Sequence, residues 1–278
     1  MNLTDHERAQ ALRTGMGTEN VGSVLEALVK MTRPTQLLEI GAGYTTLCML
    51  SALSDVAAEL HRDAQIVQGQ IDDPERQSLL IPRVALTPYH PSLTVFEDFS
   101  VQPSAADRVV DIAQAKGWDA YLNFVSENFF DDGPRILADL TAAVDVAWLD
   151  AGDPIEDIRF VNTLLPYMAS DSWILMHEPT LTIPVQLADG TTAVRPVTVP
   201  VVRQLIRSTY DQDDGSRIEF VVMPEVHKVR QGGLLVIHKL SGPEVLQPVF
   251  DSMDSEVKAL QRLLRTQDTG DDLSTLKF

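Results

Sequence analysis

Leu37-Leu38-Glu39-Ile40-Gly41-Ala42-Gly43-Tyr44-Thr45-Thr46-Leu47 joins a short apolar run to two glycines and then to a helical apolar pattern. Gln36 to Ile40 reads as a buried strand ending at Gly41. Thr45 to His61 reads as a helix with Leu47, Leu50, Leu53, Ala57 and Leu60 on its apolar side. Glycines let the backbone turn sharply and approach a ligand closely, while the first turn of a helix presents free N–H groups. In a doubly wound α/β sheet, such a strand–turn–helix is where a nucleotide-type ligand is expected. As a dinucleotide fingerprint it is poor, because the third glycine position holds Thr46. Glu39, an acidic residue two places before the first glycine, suits a cationic ligand better than a pyrophosphate.

Outward from this stretch the chain alternates short apolar runs with helix-like segments, the pattern of a mostly parallel sheet covered on both faces. Upstream, Val21 to Met31 has helical apolar spacing, with Pro34 just beyond it. Downstream, residues 62–92 fit no clean period and hold four prolines, which marks an insertion. Strands are then expected at Leu93 to Phe96, Tyr121 to Val125, Val144 to Leu149 and Trp173 to Met176. Helices are expected at Ala105 to Ala115, Pro134 to Thr141, Ile155 to Met168 and Val201 to Tyr210. Ile218 to Met223 and Gly233 to Leu240 are strands whose connection is too short for a crossover helix, so this last pair is expected to be antiparallel. The fold class is therefore α/β, a doubly wound seven-stranded sheet with a terminal antiparallel pair and helices on both faces. It is read as one domain over residues 1–278, with an N-terminal helical extension (1–34), an insertion over the acceptor pocket (62–92) and a C-terminal helical tail (242–278).

The bulk composition narrows the partners. A net charge of −18 disfavours binding to a phosphate backbone, so no nucleic acid is expected. No apolar run approaches the ~20 residues of a membrane span, and the polar N-terminus has no signal-peptide core, so no membrane is expected and the location is read as cytoplasmic. Cys48, the only cysteine, precludes an internal disulfide and a multi-thiolate zinc site.

LLEIGAGYTTL resembles the first motif of class I S-adenosylmethionine-dependent methyltransferases, especially the small-molecule enzymes similar to catechol O-methyltransferase. VDVAWLDAGDPIEDIRFVNTLLPYMASDSWILMHE resembles that family's fourth and fifth motifs in register. The resemblance covers roughly Val21 to Leu240, including the terminal antiparallel pair, which a dehydrogenase would not share. It implies a Rossmann-like fold, S-adenosyl-L-methionine as cofactor and methyl transfer to oxygen, nitrogen or carbon of a small-molecule acceptor, in specialised metabolism and from a homo-oligomer. Glu39, Gly41, Gly43 and Thr45 would face the amino acid part of the donor. Glu97 or Asp98 would grip the ribose hydroxyls, although neighbouring strand residues face opposite ways and only one can do so. Ser126, Glu127 and Asn128 would meet the adenine, and Asp150 would end the fourth strand beside the donor methyl.

Departures from the family matter too. Catechol-type enzymes hold a divalent metal with an Asp after strand four and an Asp-Asn pair after strand five. Here Asp150 matches the first, but His177-Glu178 stands in place of the pair, and Asp153 falls where the family uses a lysine. No metal is therefore expected. His177 and Glu178 become the candidate acid/base pair, supported by Asp150. An NAD-type oxidoreductase and a non-catalytic donor-binding protein are the alternative functions. Trp148, Trp173 and Cys48 are read as core, and His61, His90, His227 and His238 as structural.

Overall fold

The computed structural model describes residues 3–12, 17–100, 104–140, 142–150, 154–212, 218–228 and 233–240. The expected tail (242–278) and Asp153 lie outside them. In chain order, α1 (Asp5–Ala11) is followed by α2 (Val21–Thr32), which buries Val21, Leu25 and Val29 at four-residue spacing and stops where Arg33 turns left-handed ahead of Pro34. Next come β1 (Gln36–Ile40), buried along nearly its whole length, and α3 (Tyr44–Val67). Two short helices, α4 (Pro74–Leu79) and α5 (Pro82–Ala85), lead to β2 (Ser92–Phe96), α6 (Ala106–Lys116) and β3 (Leu122–Val125). Then follow α7 (Phe129–Ala138), β4 (Val144–Leu149), α8 (Pro154–Leu164) and β5 (Met168–His177). A hairpin of β6 (Thr182–Gln186) and β7 (Thr192–Pro196) precedes α9 (Val199–Gln212), β8 (Ile218–Met223) and β9 (Leu234–Lys239).

Among the described residues, seven strands form one sheet in the order β3-β2-β1-β4-β5-β9-β8. β3 to β5 run parallel, and β9 is antiparallel to both β5 and β8. The expected seven-stranded doubly wound sheet with its terminal antiparallel pair is present. One apolar layer, with Leu25, Leu47, Leu50 and Trp118, packs on one face; the other face carries Phe129, Phe160, Val161 and Leu205. Among the described residues no helix is long and apolar enough to cross a membrane.

The register sets the site. Val125 pairs with Phe96, Phe96 with Ile40, Ile40 with Leu149, and Leu149 with Met176. These five residues form a level row across the sheet, so the next residues (Ser126, Glu97, Gly41, Asp150 and His177) emerge along one edge. Strand order reverses between β1 and β4, which opens a crevice at that edge. His177 pairs with Leu234, and Leu234 with Met223, so the β8–β9 connection returns to the same edge.

The folded chain departs from expectation in three segments. The segment read as an insertion (62–92) lies at the opposite edge of the sheet from the crevice. α3 continues to Val67, and the segment after it leads into Ser92, which pairs with Gln36 at the opposite edge of the sheet. There the Tyr89 hydroxyl donates to the Pro34 carbonyl (2.8 Å), and Arg76 pairs with Glu59 and the buried Asp63 of α3. The return path of a parallel crossover must reach the N-terminal edge of the next strand, which places this segment far from the ligand crevice. The helix expected from Pro134 instead begins at Phe129. Asn128 caps it by accepting from the Phe130 N–H (2.9 Å), and Pro134 lies inside it. Between Met176 and Val201, where no element is expected, the chain forms the β6–β7 hairpin, closed by a turn at Asp189-Gly190 with Gly190 left-handed.

Candidate active site

Glu39 is the most buried charged group at the crevice, with no exposed surface. One of its oxygens accepts from the Thr45 hydroxyl (2.7 Å), while Oε2 is buried without a partner. Burial pushes its carboxyl up to about 8, and the charges of Asp150 and Glu97 push the same way. At neutral pH the ligand-free protein therefore keeps Glu39 protonated. Thr45, expected at the ligand, is itself buried and its hydroxyl is committed to orienting Glu39.

Beyond β1, the Gly41 N–H donates to the Phe96 carbonyl at φ +91°, a conformation that favours glycine. Gly43 is extended, and its N–H donates to the Thr46 hydroxyl (3.0 Å). A Cβ built on Gly43 would meet nothing within 4 Å. The turn thus borders open space at the N-terminus of α3.

Glu97 is the acidic residue that meets this turn. Its two oxygens accept from the Ala42 N–H (2.9 Å) and the Phe99 N–H (2.9 Å). A carboxylate has about four acceptor positions, so two remain for a diol. Asp98 is exposed and faces away, taking the Asn128 side-chain amide (2.8 Å) and the Ser100 N–H (2.9 Å); hydrogen bonds with Ser100 and Asn128 hold its carboxyl below the usual range. Asn128 is thereby occupied at both ends, as helix cap and as partner of Asp98. Ser126 and Glu127 are exposed at the same edge.

His177 is 7% exposed at the end of β5, and its Nδ1 lies 2.8 Å from the Asp150 carboxylate. Its Nε2 is buried with no hydrogen-bond partner, and the ring leans on Trp148 with centroids 5.8 Å apart. Burial opposes charging of the imidazole. The hydrogen bond and charge of Asp150 outweigh it, with contributions from Glu178 and the Gly17 carbonyl, and the pKa rises above 6.5. Glu178 has left the strand in a left-handed conformation (φ +56°), with its N–H on the Gly233 carbonyl; burial raises its carboxyl. Among the described residues no three His, Cys, Asp or Glu side chains form a metal-ligand group.

The sequence did not single out the residues opposite His177. Lys228, in the β8–β9 connection, reaches the Gly17 carbonyl, Glu19 and Glu225, while Asn20 donates to Glu225. Lys228 and Glu225 are three residues apart, but Gly17 and Asn20 lie 211 and 205 residues from their partners, so no local spacing could have announced the pairing.

An orphaned carboxyl oxygen, an open glycine turn, a carboxylate with spare acceptor positions and a His–Asp pair share one edge of a doubly wound sheet. Solved structures with the same fold include the O-methyltransferase TomG from Streptomyces achromogenes, involved in tomaymycin synthesis, in complex with SAM. It is 14% identical over 86% of this chain and 92% of that one, with a TM-score of 0.57. An O-methyltransferase from Bacillus cereus in complex with SAH is 13% identical, with 86% and 93% covered and a TM-score of 0.56. The SAH-bound methyltransferase PaMTH1 of Podospora anserina is 14% identical, with 87% and 90% covered and a TM-score of 0.51. A comparison with curated proteins found no match. Residues 38–178, just over half the chain and the span from β1 to Glu178 that builds this edge, match the methyltransferase-domain family, and the chain belongs to that family.

Proposed function

We propose that the protein transfers a methyl group from S-adenosylmethionine to the oxygen of a small-molecule acceptor, with His177 as general base. The observation that carries this reading is the buried, unpartnered Nε2 of His177, backed by Asp150 and level with the glycine turn. The residues fit the donor. Glu39 Oε2 needs a cationic or donating group, Gly43 leaves room for one, and Glu97 can accept from two ribose hydroxyls. When bound, the donor supplies an electrophilic methyl on a sulfonium. Asp150 accepts a hydrogen bond from the Nδ1–H of neutral His177, which leaves the lone pair on Nε2. Nε2 then removes the acceptor hydroxyl proton as oxygen bonds to the methyl carbon and the carbon–sulfur bond breaks. Asp150 stabilises the resulting imidazolium. The O-methyltransferases among the structural neighbours favour oxygen over nitrogen or carbon.

Incubation with methyl-labelled donor and a panel of phenols, carboxylic acids and amines tests the reading. Labelled product from a hydroxyl acceptor is expected. Binding of NAD without binding of S-adenosylhomocysteine would overturn it in favour of an oxidoreductase, and donor binding without turnover of any acceptor would favour a binding protein.

Donor binding should also move a proton. Glu39, protonated in the free protein, should ionise when a cationic group meets Oε2. Calorimetry at pH 7 in buffers of different ionisation heat should show release of about one proton per donor bound. Glu39→Gln should abolish most of that release; a binding heat independent of buffer would refute the contact.

Turnover should survive EDTA, because Asp150 and His177 bind one another where metal-dependent relatives place metal ligands. Loss of activity in EDTA with recovery on adding a divalent ion would make Asp150, His177 and Glu178 ligands instead.

A further inference from the structure

Two segments distant in sequence meet at the sheet edge that carries His177, and one lysine joins them. Residues 17–20 precede α2, and residues 224–228 follow β8 at the crevice edge. Lys228 Nζ lies 2.9 Å from the Gly17 carbonyl oxygen, 2.8 Å from Glu19 and 2.9 Å from Glu225. Its side chain is only 13% exposed. Asn20 adds a second tie across the same seam, donating to Glu225 at 2.6 Å. The α2 end of the seam is anchored by the Gly22 N–H, which donates to the Thr18 carbonyl (3.0 Å). The Gly17 carbonyl that Lys228 holds also bears on His177, and the charge of Lys228 is felt at Glu178.

We infer that Lys228 is a positioning residue that fixes the Gly17–Asn20 segment as the wall of the acceptor site opposite His177. This rests on the methyl-transfer reading above and adds to it where the acceptor is held. A primary ammonium suits the task, since its three donors match one carbonyl and two carboxylates. Loss of that cation would leave Glu19 and Glu225 without their shared ammonium partner, and the two segments would part. The Gly41–Gly43 turn and Glu97 lie on other strands and do not depend on the seam, so donor affinity should be spared.

The test uses the whole chain with Lys228→Met, Lys228→Arg and the milder Asn20→Ala. S-adenosylhomocysteine is the donor-site probe, and the acceptor is the hydroxyl compound that turns over in the labelled-donor panel. Lys228→Met should raise the acceptor KM by about tenfold or more, the scale of losing a charge-assisted hydrogen-bond set. Its kcat should change less than about threefold and its S-adenosylhomocysteine Kd less than about twofold. Lys228→Arg should recover part of the KM, and Asn20→Ala should give a smaller rise in the same direction. Hydrogen exchange needs no acceptor: the amides of residues 17–22 should exchange faster in Lys228→Met and Asn20→Ala, with those of residues 41–46 unchanged. Unaltered KM with unaltered exchange at residues 17–22 would overturn the inference. So would an equal loss of donor binding and melting temperature in the Met and Arg variants, which would mark Lys228 as a general folding residue. If the wild-type chain binds no donor and methylates nothing, the methyl-transfer reading fails, while the exchange pattern still decides whether Lys228 joins the two segments.

Discussion

His177→Ala is expected to cut kcat by about a hundredfold or more, the usual scale for a positioned general base, with little change in donor affinity. The groups proposed to face the donor (Glu39, the glycine turn and Glu97) are on β1, just beyond it and just beyond β2, and their hydrogen bonds run to Thr45, Thr46, Ala42, Phe96 and Phe99. The pH profile gives an independent reading. A base must be neutral to accept a proton, so kcat/KM should climb with pH through an apparent pKa. Asp150, Glu178 and the Gly17 carbonyl hold the imidazolium, so that pKa should lie above the ordinary 6.5, and activity should be lost on the acid side. In His177→Ala the acid limb should disappear along with the rate. Near-normal kcat in the variant, or combined loss of donor binding and thermal stability, would mean that His177 only supports the end of β5.

Gly43→Val should abolish donor binding while leaving the fold intact. Its φ of −167° is extended backbone open to any residue, and an added Cβ meets no protein atom within 4 Å. The valine methyl groups would then occupy the space a ligand needs against the turn, weakening binding by about a hundredfold or more. The melting temperature without ligand should stay within about 2 °C. Gly41→Ala provides the contrast. At φ +91° any side chain is strained, so that variant should lose about 1 kcal/mol or more of stability before any effect on ligand. If Gly43→Val still binds S-adenosylhomocysteine as tightly as the native chain, the open space at the turn is not where the donor sits.

Much of this architecture was legible in the sequence because its signals are local. VDVAWL and IEFVVM are apolar runs bounded by turns, and the expected strands Val144 to Leu149 and Ile218 to Met223 coincide with β4 and β8. The nine-residue gap before Gly233 excluded a crossover helix and so fixed the direction of the last strand. The errors occurred where two local signals competed. Pro134 was taken as a helix start, yet Asn128 supplies the cap and Phe129 and Phe130 pack against Phe160, which draws the helix five residues earlier. Residues 182–196 carry no expected element, yet they form β6 and β7; in an isolated two-stranded hairpin both strands are edges, so Pro184 and Pro196 are tolerated.

The site residues divide in the same way. Glu39, Gly41, Gly43, Glu97, Asp150 and His177 could be named from the chain because each lies at or within a few residues of a strand's C-terminal end, and a parallel sheet in register brings such ends to one edge. Sequence could not say which way Glu97 and Asp98 turn; the fold sets Glu97 on the Ala42 N–H and Asp98 on the Asn128 amide. Nor could it place residues 62–92, whose length suggested a pocket cover. Chain direction puts them at the far edge, because a parallel strand must be entered from its N-terminal end. The pairing of Lys228 with Gly17 and Glu19 exists only because the antiparallel β8–β9 connection returns to the His177 edge of the sheet and meets the start of α2. Strand ends are set by local chemistry and periodicity. Contacts between segments two hundred residues apart depend on how the whole sheet is ordered, and only the folded chain decides that.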